Sequence, residues 1–127
     1  MSARSRLLYI LVCAAVAFAL SPGVAMAQAV ADSTSPAAIS AGRDVYHGAG
    51  TCQLCHGLNL EGGPLAPTLK AHAWKDAKGG GYDAILNVIM KGVTGTAMVS
   101  HPGGISDADA QKVAAYVWAV GHAKTTP

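Results

Sequence analysis

The most constraining feature of the sequence is the motif Cys52-Gln53-Leu54-Cys55-His56. Cys-x-x-Cys-His is the attachment signature for a c-type haem. Two thiols three positions apart at the start of a helical turn can each form a thioether with one vinyl group of the same porphyrin. The adjacent histidine is then directed under the ring, where its imidazole binds iron as the proximal ligand. The motif therefore predicts one covalently attached haem c, held by Cys52, Cys55 and His56.

Three other interpretations of the motif remain open at this stage. A thioredoxin-like dithiol needs a preceding strand and a βαβ context, which the sequence lacks. A structural zinc site needs four ligands, and only Cys52, Cys55, His56 and one distant histidine are available. A disulfide between the two cysteines closes a very small loop and stabilises little. We favour haem attachment over all three.

The N-terminus has the order of a secretory signal. Arg4 and Arg6 precede an apolar run over residues 7–20, and Ala25-Met26-Ala27 forms an A-x-A cleavage site. The run is shorter than the roughly 20 residues that cross a bilayer, so a retained membrane anchor is the second choice. We expect residues 1–27 to be a signal peptide. The product is then a periplasmic single domain with no stable membrane insertion after cleavage.

The excess positive charge of the chain lies in this predicted signal. Without Arg4 and Arg6, seven Lys or Arg stand against seven Asp or Glu. A neutral domain without a basic patch argues against nucleic acid as a partner. Export also removes Cys13 and leaves only two methionines, Met90 and Met98.

The exported part of the chain contains helical patterns and no strand pattern. Residues 28–40 are rich in Ala, Ser, Thr and Pro, which predicts a flexible leader before a domain over residues 41–123. We predict helices over residues 39–48 and 82–91, and a last helix that begins after an N-cap at Ser106.

A long stretch without periodicity separates these helices. Residues 56–81 contain many Gly and Pro, and a loop of that length is unusual inside a small domain. The exported part also has only five aromatic residues. We therefore expect the porphyrin to supply the apolar area that the side chains lack.

From residue 42 to residue 121 the sequence resembles class I cytochromes c, mono-haem and of the short bacterial type. Besides the haem motif, the pieces that carry the resemblance are Gly42-Arg43-Asp44-Val45-Tyr46, Gly63-Pro64-Leu65-Ala66-Pro67-Thr68-Leu69, Gly92 with Met98, and Ala114-Ala115-Tyr116-Val117. The resemblance implies an all-α cytochrome c fold, with three to four short helices wrapped around one covalent haem. It also implies that the first and last helices cross, Gly42 and Tyr46 against Tyr116 and Val117.

The resemblance further implies how the proximal histidine is held. The family has a proline after the attachment site whose carbonyl accepts a hydrogen bond from the far nitrogen of the histidine. We assign this role to Pro67 rather than Pro64, with His56 as the donor. Such a bond orients the imidazole and makes it a stronger ligand.

The sixth ligand in this family is a methionine sulfur. We expect Met98, which lies in a loop before the last helix, whereas Met90 fits as a core residue within a helix. The family usually has proline after this methionine, and here the next residue is Val99. His101, or an open position on the iron, therefore remains an alternative.

Other polar side chains receive weaker expectations. The remaining histidines, His47, His72 and His122, are expected to face solvent. Trp74 and Tyr82 are either hydrogen-bond donors to a haem propionate or simply buried.

These features indicate an electron carrier rather than an enzyme. With His56 and Met98 both bound, the iron has no vacant position, and methionine favours the ferrous state. We expect a respiratory-chain protein, a monomer or loosely bound subunit, that exchanges electrons with a dehydrogenase, oxidase or cytochrome complex. Residues 60–65 resemble cytochrome subunits of bacterial dehydrogenases. The alternative is a five-coordinate haem protein that binds a small gas, as a sensor or weak peroxidase.

Overall fold

The computed structural model describes residues 32–70 and 74–127, and these residues form four α-helices and no strand. The helices are α1 (Pro36–His47), α2 (Gln53–His56), α3 (Tyr82–Lys91) and α4 (Asp107–Gly121), with short 3₁₀ turns at Lys78–Gly80 and Pro102–Gly104. The predicted all-α class is confirmed. Within this described part, no helix has the length and apolar character needed to span a bilayer. The predicted signal peptide lies outside the described residues.

Helix α1 begins three residues earlier than the sequence predicted. The Ser35 side chain accepts a hydrogen bond from the Ala38 backbone N–H at 3.3 Å, and Pro36 occupies the first turn. Proline is well suited to that position because it has no N–H to leave unpaired and its φ is already helical. Residues 36–40, for which we expected no fixed structure, are therefore helical.

Helices α3 and α4 agree closely with the predicted bounds. Gly92 follows the last residue of α3 as its C-cap, and its φ of 70° suits glycine. The Ser106 side chain caps α4 by accepting a hydrogen bond from the Asp109 N–H at 3.1 Å. α4 includes Gly121 as its last residue. Val113, Tyr116, Val117 and Val120 lie along α4 and are all buried.

Helices α1 and α3 both pack against α4. At the α1–α4 contact, Gly42 lies so close to the Lys112 carbonyl that a Cβ atom there would overlap its oxygen. The rings of Tyr46 and Tyr116 meet edge to face, with centroids 5.5 Å apart. The crossing that the resemblance implied is therefore confirmed, and its closest contact is to the Lys112 backbone.

The segment after α2 folds without regular secondary structure. Leu60 is fully buried although its φ is 59°, a conformation that side chains other than glycine rarely adopt. Its carbonyl accepts hydrogen bonds from the Leu69 N–H at 2.9 Å and the Thr68 hydroxyl at 3.1 Å. These bonds close residues 57–69 into a loop that returns towards α2.

We expect Gly42→Ala to destabilise the protein strongly. The added methyl group has no room beside the Lys112 backbone, so α1 must move away from α4, at a cost of about 2–3 kcal/mol. Chemical denaturation of the haem-loaded protein measures this loss. Gly63→Ala is the control, since a Cβ there meets only ordinary contact with the Cys55 carbonyl. Equal stability of both variants and the wild type would show that the crossing is not tight.

Candidate haem site

The Cys-x-x-Cys-His motif forms a single helical turn, α2. The N–H groups of Cys55 and His56 both donate to the Cys52 carbonyl, at 3.2 and 3.0 Å. This turn brings the two thiols and the imidazole onto one short element. Both cysteines are free thiols, so the disulfide interpretation is wrong for this structure.

The two thiols differ in their surroundings. Cys55 is exposed, whereas Cys52 is half-buried, and this burial raises the pKa of Cys52 to about 11. Among residues 32–70 and 74–127, no three His, Cys, Asp or Glu side chains are placed to hold a metal ion. His72 lies outside the described residues.

The imidazole of His56 is held by one hydrogen bond. Its Nδ1 lies 3.0 Å from the carbonyl oxygen of Pro67, as the resemblance implied. A carbonyl can only accept, so Nδ1 carries the proton. In the neutral imidazole, Nε2 therefore has the free lone pair that an iron ligand requires.

A contact that the sequence did not indicate ties α2 to the end of α1. The Gln53 side-chain amide donates to the His47 carbonyl at 2.8 Å, and its oxygen lies 2.8 Å from His47 Nδ1. Because an amide oxygen only accepts, His47 Nδ1 donates. His47 is half-buried rather than solvent-facing as expected. No periodicity or capping signal links these two residues, so the pair was not predictable from sequence.

Tyr46 supports the residue that follows the histidine. Its hydroxyl donates to the Gly57 carbonyl at 2.8 Å, and its side chain is fully buried. Burial raises the pKa of Tyr46 well above its usual value, so the hydroxyl remains a donor. Tyr46 therefore links the α1–α4 crossing to the end of the haem motif.

Met98 lies half-buried in the loop between α3 and α4. Its carbonyl accepts from the Val93 N–H at 2.8 Å, and its own N–H donates to the Thr96 hydroxyl at 3.1 Å. These bonds hold the loop around the methionine. Met90 also packs against the core, from within α3.

His101, the rival ligand, is engaged elsewhere. Its Nε2 lies 2.8 Å from a carboxylate oxygen of Asp107, and the backbone N–H of His101 donates to the Ile89 carbonyl at 2.9 Å. His101 therefore fastens the loop to α3 and to the first turn of α4.

Trp74 and Tyr82 differ in the use of their polar atoms. The Tyr82 hydroxyl donates to the Gln111 carbonyl at 3.3 Å, which supports the burial interpretation. The indole ring of Trp74 packs on Gly80 and Gly121, and its Nε1–H is buried without a partner among the described residues. A buried donor without a partner costs free energy unless a bound group accepts its hydrogen.

The residues present fit a covalently bound porphyrin. Two free thiols and an imidazole with an available Nε2 occupy one turn, and a buried indole N–H lacks an acceptor. Among the described residues, four large apolar side chains are exposed: Leu54, Leu58, Leu65 and Val99, at 60–75%. Three of them lie in or after the motif and one follows Met98, so they can cover the faces and edge of a large apolar group.

A comparison with models of protein families found a match. A family model described as cytochrome c oxidase, cbb3-type, subunit III matches residues 37–117, which is more than half of the chain. The match runs from α1 through the haem motif and the methionine loop into α4. Searches of the curated proteins and of the solved structures found no match.

We expect Tyr46→Phe to lower the free energy of unfolding by about 1–2 kcal/mol at pH 7, because the Gly57 carbonyl loses its donor. The difference in free energy of unfolding between Tyr46→Phe and the wild type should become smaller above about pH 10. The folded-state pKa of Tyr46 lies above the unfolded value, so the wild type loses stability as pH rises past the unfolded pKa, and phenylalanine cannot titrate.

Denaturation at pH 7 and pH 11 measures both effects. Tyr116→Phe is the matched control at pH 7, since that buried hydroxyl has no partner among the described residues and its loss should cost little. If the difference in free energy of unfolding between Tyr46→Phe and the wild type is the same at both pH values, the buried Tyr46 hydroxyl is not the donor that we assign to the Gly57 carbonyl.

Proposed function

The chain belongs to the family of c-type cytochrome domains that this model describes, and we propose that it is an exported carrier of single electrons between a donor and an acceptor protein. Domains of this family and size contain one covalently bound haem c and act in electron transfer. The bound haem supplies reversible one-electron exchange between its ferric and ferrous iron.

The observation that carries the proposal is the hydrogen bond from His56 Nδ1 to the Pro67 carbonyl. It leaves Nε2 as the only nitrogen available to a metal and restrains rotation of the ring. It also increases electron density on the imidazole, which strengthens the ligand. We assign His56 as the proximal ligand, with Cys52 and Cys55 as the sites of the two thioether bonds.

Met98 is the proposed ligand on the opposite face. It lies in a loop rather than within a helix, as Met90 does, and its own backbone N–H and carbonyl are both held by hydrogen bonds. Asp107 engages Nε2 of the rival His101. If His56 and Met98 both held the iron of a bound haem, no position on it would be open to a substrate or a gas, which favours the carrier over the gas-binding alternative.

The apolar surface near the motif suits brief contact with redox partners. Leu54, Leu58 and Leu65 are each more than half exposed, and the exported chain is electrically neutral. A neutral protein gains little from long-range steering, so docking relies on apolar contact over a small area. We propose an oxidase, a dehydrogenase or a cytochrome complex as partner, with the chain as a monomer or loosely bound subunit. The family description favours the oxidase.

The proposed location is the periplasm, within a respiratory chain. The support is the order of the first 27 residues: two arginines, an apolar run and an A-x-A site. Covalent haem attachment and export are compatible, because both cysteines of the motif lie after the predicted cleavage site.

Replacement of the proposed sixth ligand tests the axial assignment. We expect Met98→Ala to change the visible spectrum from low-spin to high-spin and to allow rapid carbon monoxide binding. We also expect a lower midpoint potential, because a sulfur ligand that favours ferrous iron is lost. Met90→Ala is the matched control and should remain low-spin. If only Met90→Ala gives a high-spin spectrum, the sixth ligand is Met90 and not Met98. If the wild type binds carbon monoxide rapidly, the gas-binding alternative is supported.

Maturation has its own test. The protein isolated from the periplasm should begin at Gln28 and have the mass of residues 28–127 plus one haem, retained after denaturation. In Cys52→Ala and in Cys55→Ala, the haem should either remain attached through the single remaining thioether bond or be lost. A bare polypeptide mass for the wild type would refute haem attachment at these cysteines.

A further inference from the structure

We propose that a cavity between α1, α4 and the C-terminal residues binds a small organic anion through carboxylate or phosphate oxygens. The cavity has a volume of about 280 Å³. Its polar lining consists of Ser40, Arg43, Tyr116, Lys124, Thr125 and Thr126. None of these residues belongs to the proposed haem ligands, so the inference does not depend on the ligand assignment.

The charge of the cavity lining is positive and uncompensated. Arg43 and Lys124 both line it, and no lining residue is acidic. Neither cation forms an ion pair with any described side chain; the two ion pairs found there are His101–Asp107 and Lys112–Asp109. Two cations that share one concavity repel each other, and a bound anion removes that repulsion. Arginine in addition presents paired N–H donors that match carboxylate and phosphate oxygens.

A buried hydroxyl supplies an independent indication of a ligand. The Tyr116 side chain is 1% exposed, and its hydroxyl has no hydrogen-bond partner among the described residues. Burial of a hydroxyl without a partner is costly, and native proteins rarely leave one so. Tyr116 lies in the lining of the same cavity as Arg43 and Lys124.

The size and lining of the cavity define the class of ligand. Its volume greatly exceeds the roughly 30 Å³ that one water occupies and approaches the lower limit of small-molecule pockets, about 300 Å³. Pro36 and Ile39 are the apolar members of the lining. The Thr125 hydroxyl already donates to the Thr126 carbonyl, and a single halide would leave the hydroxyls of Ser40 and Thr126 without a partner. A small organic anion with several oxygen acceptors and a short carbon skeleton matches both the donors and the apolar residues.

Titration of the purified haem-loaded protein tests the proposal. Citrate, a polycarboxylate, and inorganic phosphate are the probes, with potassium chloride at matched ionic strength as the reference. Isothermal calorimetry measures affinity, and amide NMR shifts locate the site. We expect saturable binding, with shifts at residues 40, 43, 116 and 124–126. Preference for citrate identifies a carboxylate ligand, and preference for phosphate identifies a phosphoryl ligand.

Variants distinguish specific binding in the cavity from non-specific electrostatic attraction of anions to the protein. Arg43→Gln and Tyr116→Phe should each weaken binding about tenfold or more, because each removes a donor to a charged acceptor. Lys124→Gln lies in the tail, cannot disturb the core, and should also weaken binding. Lys91→Gln, a cation at the end of α3, is the matched control and should bind like wild type. Unchanged visible and far-ultraviolet spectra establish that the variants fold.

Three results would overturn the proposal. Shifts that grow linearly without saturation would mean only non-specific screening, as would identical shifts with potassium chloride. Equal affinity in the wild type and in Lys124→Gln would place binding elsewhere. Absence of any heat or shift with both probes would mean that only water occupies the cavity.

Discussion

The close approach of α1 and α4 at Gly42 is the contact on which the rest of the structure depends. Only a residue without a side chain lets the helix backbone reach the Lys112 carbonyl, and this approach sets the edge-to-face contact of Tyr46 with Tyr116. The Tyr46 hydroxyl then reaches the Gly57 carbonyl, immediately after the haem motif. A packing constraint between two helices therefore positions the site through one buried phenol.

Residues 57–69 show how a loop is ordered without helices or strands. The Leu69 N–H and the Thr68 hydroxyl converge on the carbonyl of Leu60, which is held in a left-handed conformation that is unfavourable for leucine. Complete burial of the side chain and two accepted hydrogen bonds offset that strain. The same closure brings the Pro67 carbonyl to His56 and so determines which imidazole nitrogen is available to iron.

Residues of α1 and α4 take part in two different sites. Towards the haem motif, His47 and Gln53 join α1 to α2 through two hydrogen bonds. Towards the C-terminus, Arg43 and Tyr116 border a cavity in which their polar atoms lack partners among the described residues. One helix pair therefore supports a site that carries electrons and a separate site suited to an anion.

The sequence by itself determined the haem motif, the bounds of α3 and the cap of α4, because each depends on residues within a few positions of one another. The 3.6-residue periodicity, the Ser106 cap and the Cys-x-x-Cys-His spacing are local signals. Tertiary structure alone decided the pairing of His47 with Gln53, the left-handed Leu60 and the engagement of His101 by Asp107. The side-chain pairs form between elements, and the Leu60 strain is relieved only by burial and distant donors. The early start of α1 had a local signal in the Ser35 cap and Pro36, but a composition rich in Ala, Ser and Pro is as compatible with a linker as with a helix that a folded partner stabilises.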